Sequence, residues 1–186
     1  MSTKTTRKSN RGKHPGFFEL AKRQIMFLDG GMGTQLQLRD PTPDDFGGAV
    51  YEGCNELLCD TRPQWIREIH AAYLDAGADG VETNTFGSNE IVLAEYGIPE
   101  RTYDLNVTAA RLAREVCDDF TSRPTYVIGS IGPGTKLITL GHVDYDTMLK
   151  SYRAQALGLI DGGSDVLLIE TAQDIQQIKI AIRACR

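Results

Sequence analysis

Four short apolar runs set the main constraint on this chain. They are Ile25–Leu28, Gly80–Thr83, Thr125–Ile128 and Val166–Ile169. Each run gives way to glycine or polar residues, and helix-period segments separate the runs. Val127-Ile128 and Val166–Ile169 show no apolar/polar alternation, as expected of strands buried on both faces in a parallel sheet. The longer helical segments begin near Pro63, Pro99, Tyr145 and Asp174. In the first, Trp65, Ile66, Ile69, Ala72, Tyr73 and Ala76 recur at helical spacing. Pro63 suits a first turn, and Gly77 and Gly162-Gly163 are stop signals. Shorter helices are predicted over Phe17–Arg23 and Ser88–Glu95. Alternating strands and helices predict a parallel α/β sheet with right-handed crossovers. Two architectures fit: a doubly wound open sheet, or part of a (β/α)8 barrel.

An internal similarity favours the barrel. Tyr73–Thr83 and Leu159–Thr171 both read as helix end, glycine stop, aspartate, strand, then Glu-Thr. Repetition of one βα unit suits a barrel better than an open sheet. The expected fold is therefore a (β/α)8 TIM-barrel type with about the first four βα units present. Residues 1–16 form a basic tail and 17–186 the folded part.

Charge narrows the partners. Five of the 20 basic residues and none of the 25 acids fall before residue 15. The rest is an acidic body with 15 basic residues, which argues against a nucleic-acid surface. No run is long enough to span a membrane, and the tail lacks the apolar core of a secretion signal. Cys54, Cys59, Cys117 and Cys185 have no paired metal-type spacing. They read as reduced thiols of a cytoplasmic protein.

In both architectures ligands bind beyond the C-terminal strand ends. Those ends carry Asp29-Gly30-Gly31-Met32, Glu82-Thr83-Asn84, Ser130 among glycines, and Glu170-Thr171. Carboxylates there can hold an ammonium, and unobstructed glycine amides can hold a carboxylate. That pairing suits an α-amino acid. The competing readings are paired carboxylates for glycoside hydrolysis, a divalent metal on Asp29, Glu82 and Glu170, or rim salt bridges with lysine or arginine. Nucleotide binding is poorly supported. Gly129–Lys136 inverts the threonine and lysine of a P-loop. Gly31-Met32-Gly33 lacks the third glycine of a dinucleotide fingerprint and a helix start behind it. The long polar stretch Arg39–Asp60 reads as a loop with a brief turn at 55–58. Among the histidines, His70 reads as a helix-surface or core residue and His142 as an exposed loop residue.

Four stretches carry a resemblance: Leu28–Leu38, Asp79–Asn89, Gly129–Leu137 and Gly163–Asp174. Together they resemble the homocysteine-binding domain of homocysteine S-methyltransferases. The Asp-Gly-Gly-Met-Gly-Thr and Glu-Thr-Asn-Thr-Phe runs are most similar to the cobalamin-dependent methionine synthase branch. The resemblance implies a (β/α)8 barrel in which zinc, held by three cysteines, binds the homocysteine thiolate, and the methyl group comes from methylcobalamin. It implies that Asp29 and Glu170 hold the ammonium and that Gly30, Gly31 and Met32 line the carboxylate. Asn84 and Ser130 would be rim contacts. The implied zinc cysteines, after strands six and eight, would lie beyond Arg186, as would the cobalamin and folate modules. The expectation is thus a fragment holding half of a substrate site, with homocysteine as ligand, inactive alone and binding no stoichiometric zinc. It could pair with a missing C-terminal half. The alternatives are a non-catalytic amino-acid-binding module, or a relative using betaine or S-methylmethionine as methyl donor.

Overall fold

The computed structural model describes residues 14–186; the basic residues that precede them lie outside the described residues. The elements run α1 (Phe17–Ala21), α2 (Met32–Gln37), α3 (Leu58–Thr61), α4 (Pro63–Asp75), β1 (Gly80–Glu82), α5 (Glu90–Leu93), α6 (Thr102–Asp119), β2 (Tyr126–Ile131), α7 (Tyr145–Gly162), β3 (Val166–Ile169) and α8 (Ile175–Ala184). The three strands form one parallel sheet in the order β1-β2-β3. Helices separate them, as the alternating sequence pattern requires.

The first apolar run departs from the expected buried strand. Only Leu28 makes a parallel bridge, to Gly80. Around it, the Phe27 carbonyl accepts from Asp79 and Gly80, and the Asp29 amide donates to the Gly80 carbonyl at 3.0 Å. The segment thus lies beside β1 in parallel but is too short to count as a fourth strand. Ile25 is 79% and Phe27 64% exposed. Among the described residues, its strand pairing is to β1 on one side, which leaves its other edge uncovered by a strand. The same holds at the other edge, where all four apolar residues of β3 are half-buried.

The stretch 39–60 is also more ordered than a loop. It folds as 3-10 turns at Pro43–Phe46, Ala49–Tyr51 and Asn55–Leu57 leading into α3. Phe46, Leu58 and Cys59 join Leu36, Ile66, Ile69, Ala109 and Leu112 in one buried cluster. A second cluster, with Ile131, Met148, Tyr152, Leu159 and Ile180, lies between the sheet and α7–α8. Helices α6 and α7 approach so closely that a Cβ on Gly162 would lie 2.6 Å from Ala110 Cβ, and one on Gly158 would lie 2.6 Å from the Tyr103 carbonyl. Only glycine allows that spacing.

Both ends of the strands are specified. At the N-terminal end, Tyr126 donates its hydroxyl to the Pro15 carbonyl at 2.6 Å, and its ring meets Phe17 edge-on. Asp79 and Asp165 there accept from the amides of Phe27 and Val127. The C-terminal ends converge on a pocket. No described helix is long and apolar enough to cross a membrane.

Candidate amino-acid site

The pocket is a cavity of about 380 Å³. All seven residues chosen from the sequence line it: Asp29, Gly30, Gly31, Met32, Asn84, Ser130 and Glu170. Glu82 lines it too, with Asn55, Glu56 and Thr83–Phe86 from neighbouring loops. Among the described residues, no lysine, arginine or histidine lines it. The rim salt-bridge reading therefore fails for these carboxylates.

Each element delivers its side chain for a local reason. Asp29 follows the Leu28 bridge, so its carboxylate faces the end of β1, where both oxygens accept from the Glu82 amide at 3.0 Å. Helix α2 begins at Met32, directly behind Gly31. This helix start departs from the sequence expectation, because Gly31 occupies the cap position where a Ser, Thr or Asp is the usual signal. Thr34 donates its hydroxyl to the Gly31 carbonyl. Ser130 lies in the last turnout of β2 and donates to Glu170 Oε1 at 2.5 Å. Glu170 directly follows β3, and its amide continues the ladder to the Ile131 carbonyl.

Asn84 lines the pocket and also has a structural task. Its Nδ2 donates to the Asn55 carbonyl at 2.7 Å and faces Cys59 Sγ at 3.5 Å. It lines the pocket while binding the 55–61 segment to the end of β1.

Electrostatics follow from carboxylates gathered with no basic side chain among the described lining residues. Burial pushes the Asp29 carboxyl up to about 7, and Glu170 adds to the rise against the bonds from the Glu82 amide. Burial, then Glu170 and Asp29, raises Glu82 as well. Glu56 is raised by burial, although the Gly87 amide donates to it at 2.8 Å. An entering ammonium would relieve all three. Glu56 was missed from sequence. Its signal was an acid inside a stretch whose neighbours, Cys54, Leu57, Leu58 and Cys59, are all core-type residues.

The other sequence candidates lie elsewhere. His70 is fully buried in α4 with no partner on either nitrogen, and burial lowers it to about 4. His142 accepts from the Leu137 amide in an exposed loop. Lys136 pairs with Glu95 at 3.4 Å. Among the described residues, no three His, Cys, Asp or Glu side chains are placed to share a metal ion. The cysteines do not fit zinc. Cys54 Sγ faces Glu56, Cys59 Sγ lies against Asn84, and burial pushes Cys54 and Cys117 up to about 12. Zinc needs thiolates converging on one point.

A parallel α/β sheet with a carboxylate-lined pocket at its C-terminal ends defines the class, and comparison with known families places it. The family model described as homocysteine S-methyltransferase matches residues 26–186, and the chain belongs to that family. It is 49% identical over 170 residues to methionine synthase of Mycobacterium tuberculosis, covering 90% of this chain and 14% of that protein. The corresponding protein of Mycobacterium leprae is 48% identical over 170 residues. The chain thus spans about 14% of the length of these curated relatives. Among solved structures, the homocysteine methyltransferase MmuM of Escherichia coli in its oxidized form superposes with a TM-score of 0.74 at 23% identity, over 92% of this chain and 61% of that one. Its metallated form gives 0.73 at 24% identity, over 89% and 60%. At that identity, the likeness shows a shared fold.

Proposed function

We propose that this chain supplies the amino-acid-binding part of a homocysteine S-methyltransferase of the methionine synthase type. In this reading, residues 17–186 are the first four βα units of a (β/α)8 barrel, with the 27–29 segment as the first strand position. Asp29 and Glu170 hold the ammonium of homocysteine. The backbone of Gly30, Gly31 and Met32 lines its carboxylate end, and Asn84 and Ser130 complete the rim. The thiol then projects away from this clamp, toward the reacting methyl group. Zinc and methylcobalamin, implied by the family, would be held outside the described residues, because the cysteines present do not fit a metal. The four free cysteines suit a reducing compartment, and we place the protein in the cytoplasm.

One observation carries the reading: a pocket with Asp29, Glu82 and Glu170 on its wall and, among the described residues, no basic side chain. Such a pocket favours a ligand that brings its own positive charge. The test is titration of the chain with L-homocysteine and with its des-amino analogue, 4-mercaptobutyrate, followed by NMR. L-Homocysteine binds and the des-amino analogue does not. Asp29→Asn and Glu170→Gln each weaken binding by about tenfold to a hundredfold, the range for a charge-assisted hydrogen bond. Equal binding of the two ligands would remove the ammonium clamp and the reading with it.

A further inference from the structure

The residue that aims Glu170 is Ser130, so what holds Ser130 matters. In β2 the even-numbered residues turn their backbone groups toward β1: Tyr126 donates to the Asp79 carbonyl, and Ile128 accepts from the Thr83 amide. Strand β1 ends at Glu82, opposite Ile128. Two residues further on, the amide and carbonyl of Ser130 point at a strand that has stopped. Buried backbone groups must be paired, and two threonines do it. The Ser130 amide donates to Thr83 Oγ1 at 3.1 Å. The Ser130 carbonyl accepts from Thr85 Oγ1 at 2.8 Å. The two hydroxyls are 2.6 Å apart. Each hydroxyl has one proton, and that of Thr85 goes to Ser130, so Thr83 donates to Thr85. The bonds close a ring: Ser130 N–H to Thr83, Thr83 to Thr85, Thr85 to the Ser130 carbonyl.

Gln155, reaching in from α7, braces the ring. Its Nε2 donates to the Thr85 carbonyl at 2.8 Å and meets the Ser130 carbonyl at 3.4 Å. Thr83, Thr85, Ser130 and Gln155 are all at most 3% exposed. Thr83 and Thr85 stand in the pocket wall, and the ring's bonded link to the carboxylates there is the Ser130 hydroxyl, which ends on Glu170.

We infer that Thr83, Thr85 and Gln155 are positioning residues: they replace the missing strand, fix Ser130, and through its hydroxyl fix the carboxylate of Glu170 before a ligand arrives. The ligand half of this inference rests on the ammonium-clamp reading above; the ring's control of Glu170 does not.

The experiment follows the Glu170 side-chain carboxyl carbon by NMR without ligand, and L-homocysteine affinity beside it. Thr85→Val keeps the shape and removes the hydroxyl; Thr85→Ser keeps the hydroxyl. Thr85→Val moves the Glu170 resonance in the same direction as Ser130→Ala, and Thr85→Ser leaves it in place. In a Ser130→Ala background, Thr85→Val adds nothing further. Homocysteine affinity falls about threefold to tenfold in Thr85→Val, the range for one neutral hydrogen bond, and returns in Thr85→Ser. Gln155→Met, which removes only the brace, gives a smaller change of the same sign and serves if Thr85→Val does not fold. A folded Thr85→Val or Gln155→Met protein that leaves the Glu170 resonance unmoved overturns the inference, as does an equal Thr85→Val shift with and without the Ser130 hydroxyl. If the resonance moves as stated but homocysteine does not bind, the failure belongs to the ligand reading and the ring stands.

Discussion

At the foot of β1, Asp79 accepts from the Phe27 amide at 2.9 Å; at the foot of β3, Asp165 accepts from the Val127 amide at 2.8 Å. Both aspartates return their own amide to the carbonyl of the same residue. Above them run two strands of similar sequence, each ending in Glu-Thr. There the likeness stops. Gly80 and Val81 of β1 are buried, whereas every residue of β3 is half-exposed. Thr83 is buried in the hydroxyl ring, whereas Thr171 is exposed, at a φ of 55°, with its hydroxyl toward Glu170 Oε2. Repeated sequence dictates the backbone connection at the strand foot. The number of neighbouring strands decides what becomes of the top.

Three measurements can break or sharpen this contrast. The largest effect is expected at the strand feet. Asp165 also pairs with Arg114, both side chains mostly buried, whereas Asp79 lies 3.6 Å from Arg123. Asp165→Ala should cost about 3–5 kcal/mol, as for one partner of a buried ion pair. Asp79→Ala should cost about 1.5–3 kcal/mol, as for one charged hydrogen bond. Urea unfolding reads both, and equal losses would mean that the two feet are not distinguished by their arginines.

Next come the strand tops. Thr83→Val leaves the Ser130 amide without its acceptor and should cost about 1–3 kcal/mol. Thr171→Val should change stability by less than about 0.5 kcal/mol, and Thr171→Gly should gain up to about 1 kcal/mol by accepting the positive φ. A loss on Thr171→Gly comparable to that of Thr83→Val would erase the contrast.

The smallest effect is in pH dependence. Asp29 binds its proton more tightly folded, near 7, than unfolded, near the ordinary 3.8. The native state therefore holds more protons between those values, and stability falls as pH rises through that window. Asp29→Asn should flatten this decline, by on the order of 1 kcal/mol per pH unit inside the window. Melting curves from pH 4 to pH 8 check it; an unchanged slope would show that Asp29 ionises freely without ligand.

Much of this was readable from residues alone, for physical reasons. Gly77 and Gly163 end α4 and α7 with φ values of 114° and 109°, a backbone region that glycine enters without cost. Asp174, where the last helix was expected to begin, caps α8 by accepting from the Gln176 and Gln177 amides. The convergence of Asp29, Ser130 and Glu170 followed from placing strand ends on one rim. The brief turn expected at 55–58 is present as the 3-10 turn Asn55–Leu57, but those at Pro43–Phe46 and Ala49–Tyr51 were not readable, because they have no periodicity of their own and tertiary burial of Phe46 holds the first. The exposure of Ile25 and Phe27 was equally hidden, since it depends on which strands stand beside them. The hydroxyl ring depends on where β1 stops relative to β2, a register that sequence does not display.

The outer edge of β3 has a geometric consequence for the pocket. Any segment that extends this sheet in parallel would lie about 4.8 Å away and run in the same direction. Its last residue would then emerge beside Glu170, within reach of the ligand that Glu170 faces. The free edge of the sheet and the rim of the pocket at Glu170 are therefore one boundary, and a segment that covered the first would also decide what chemistry meets the far end of the ligand.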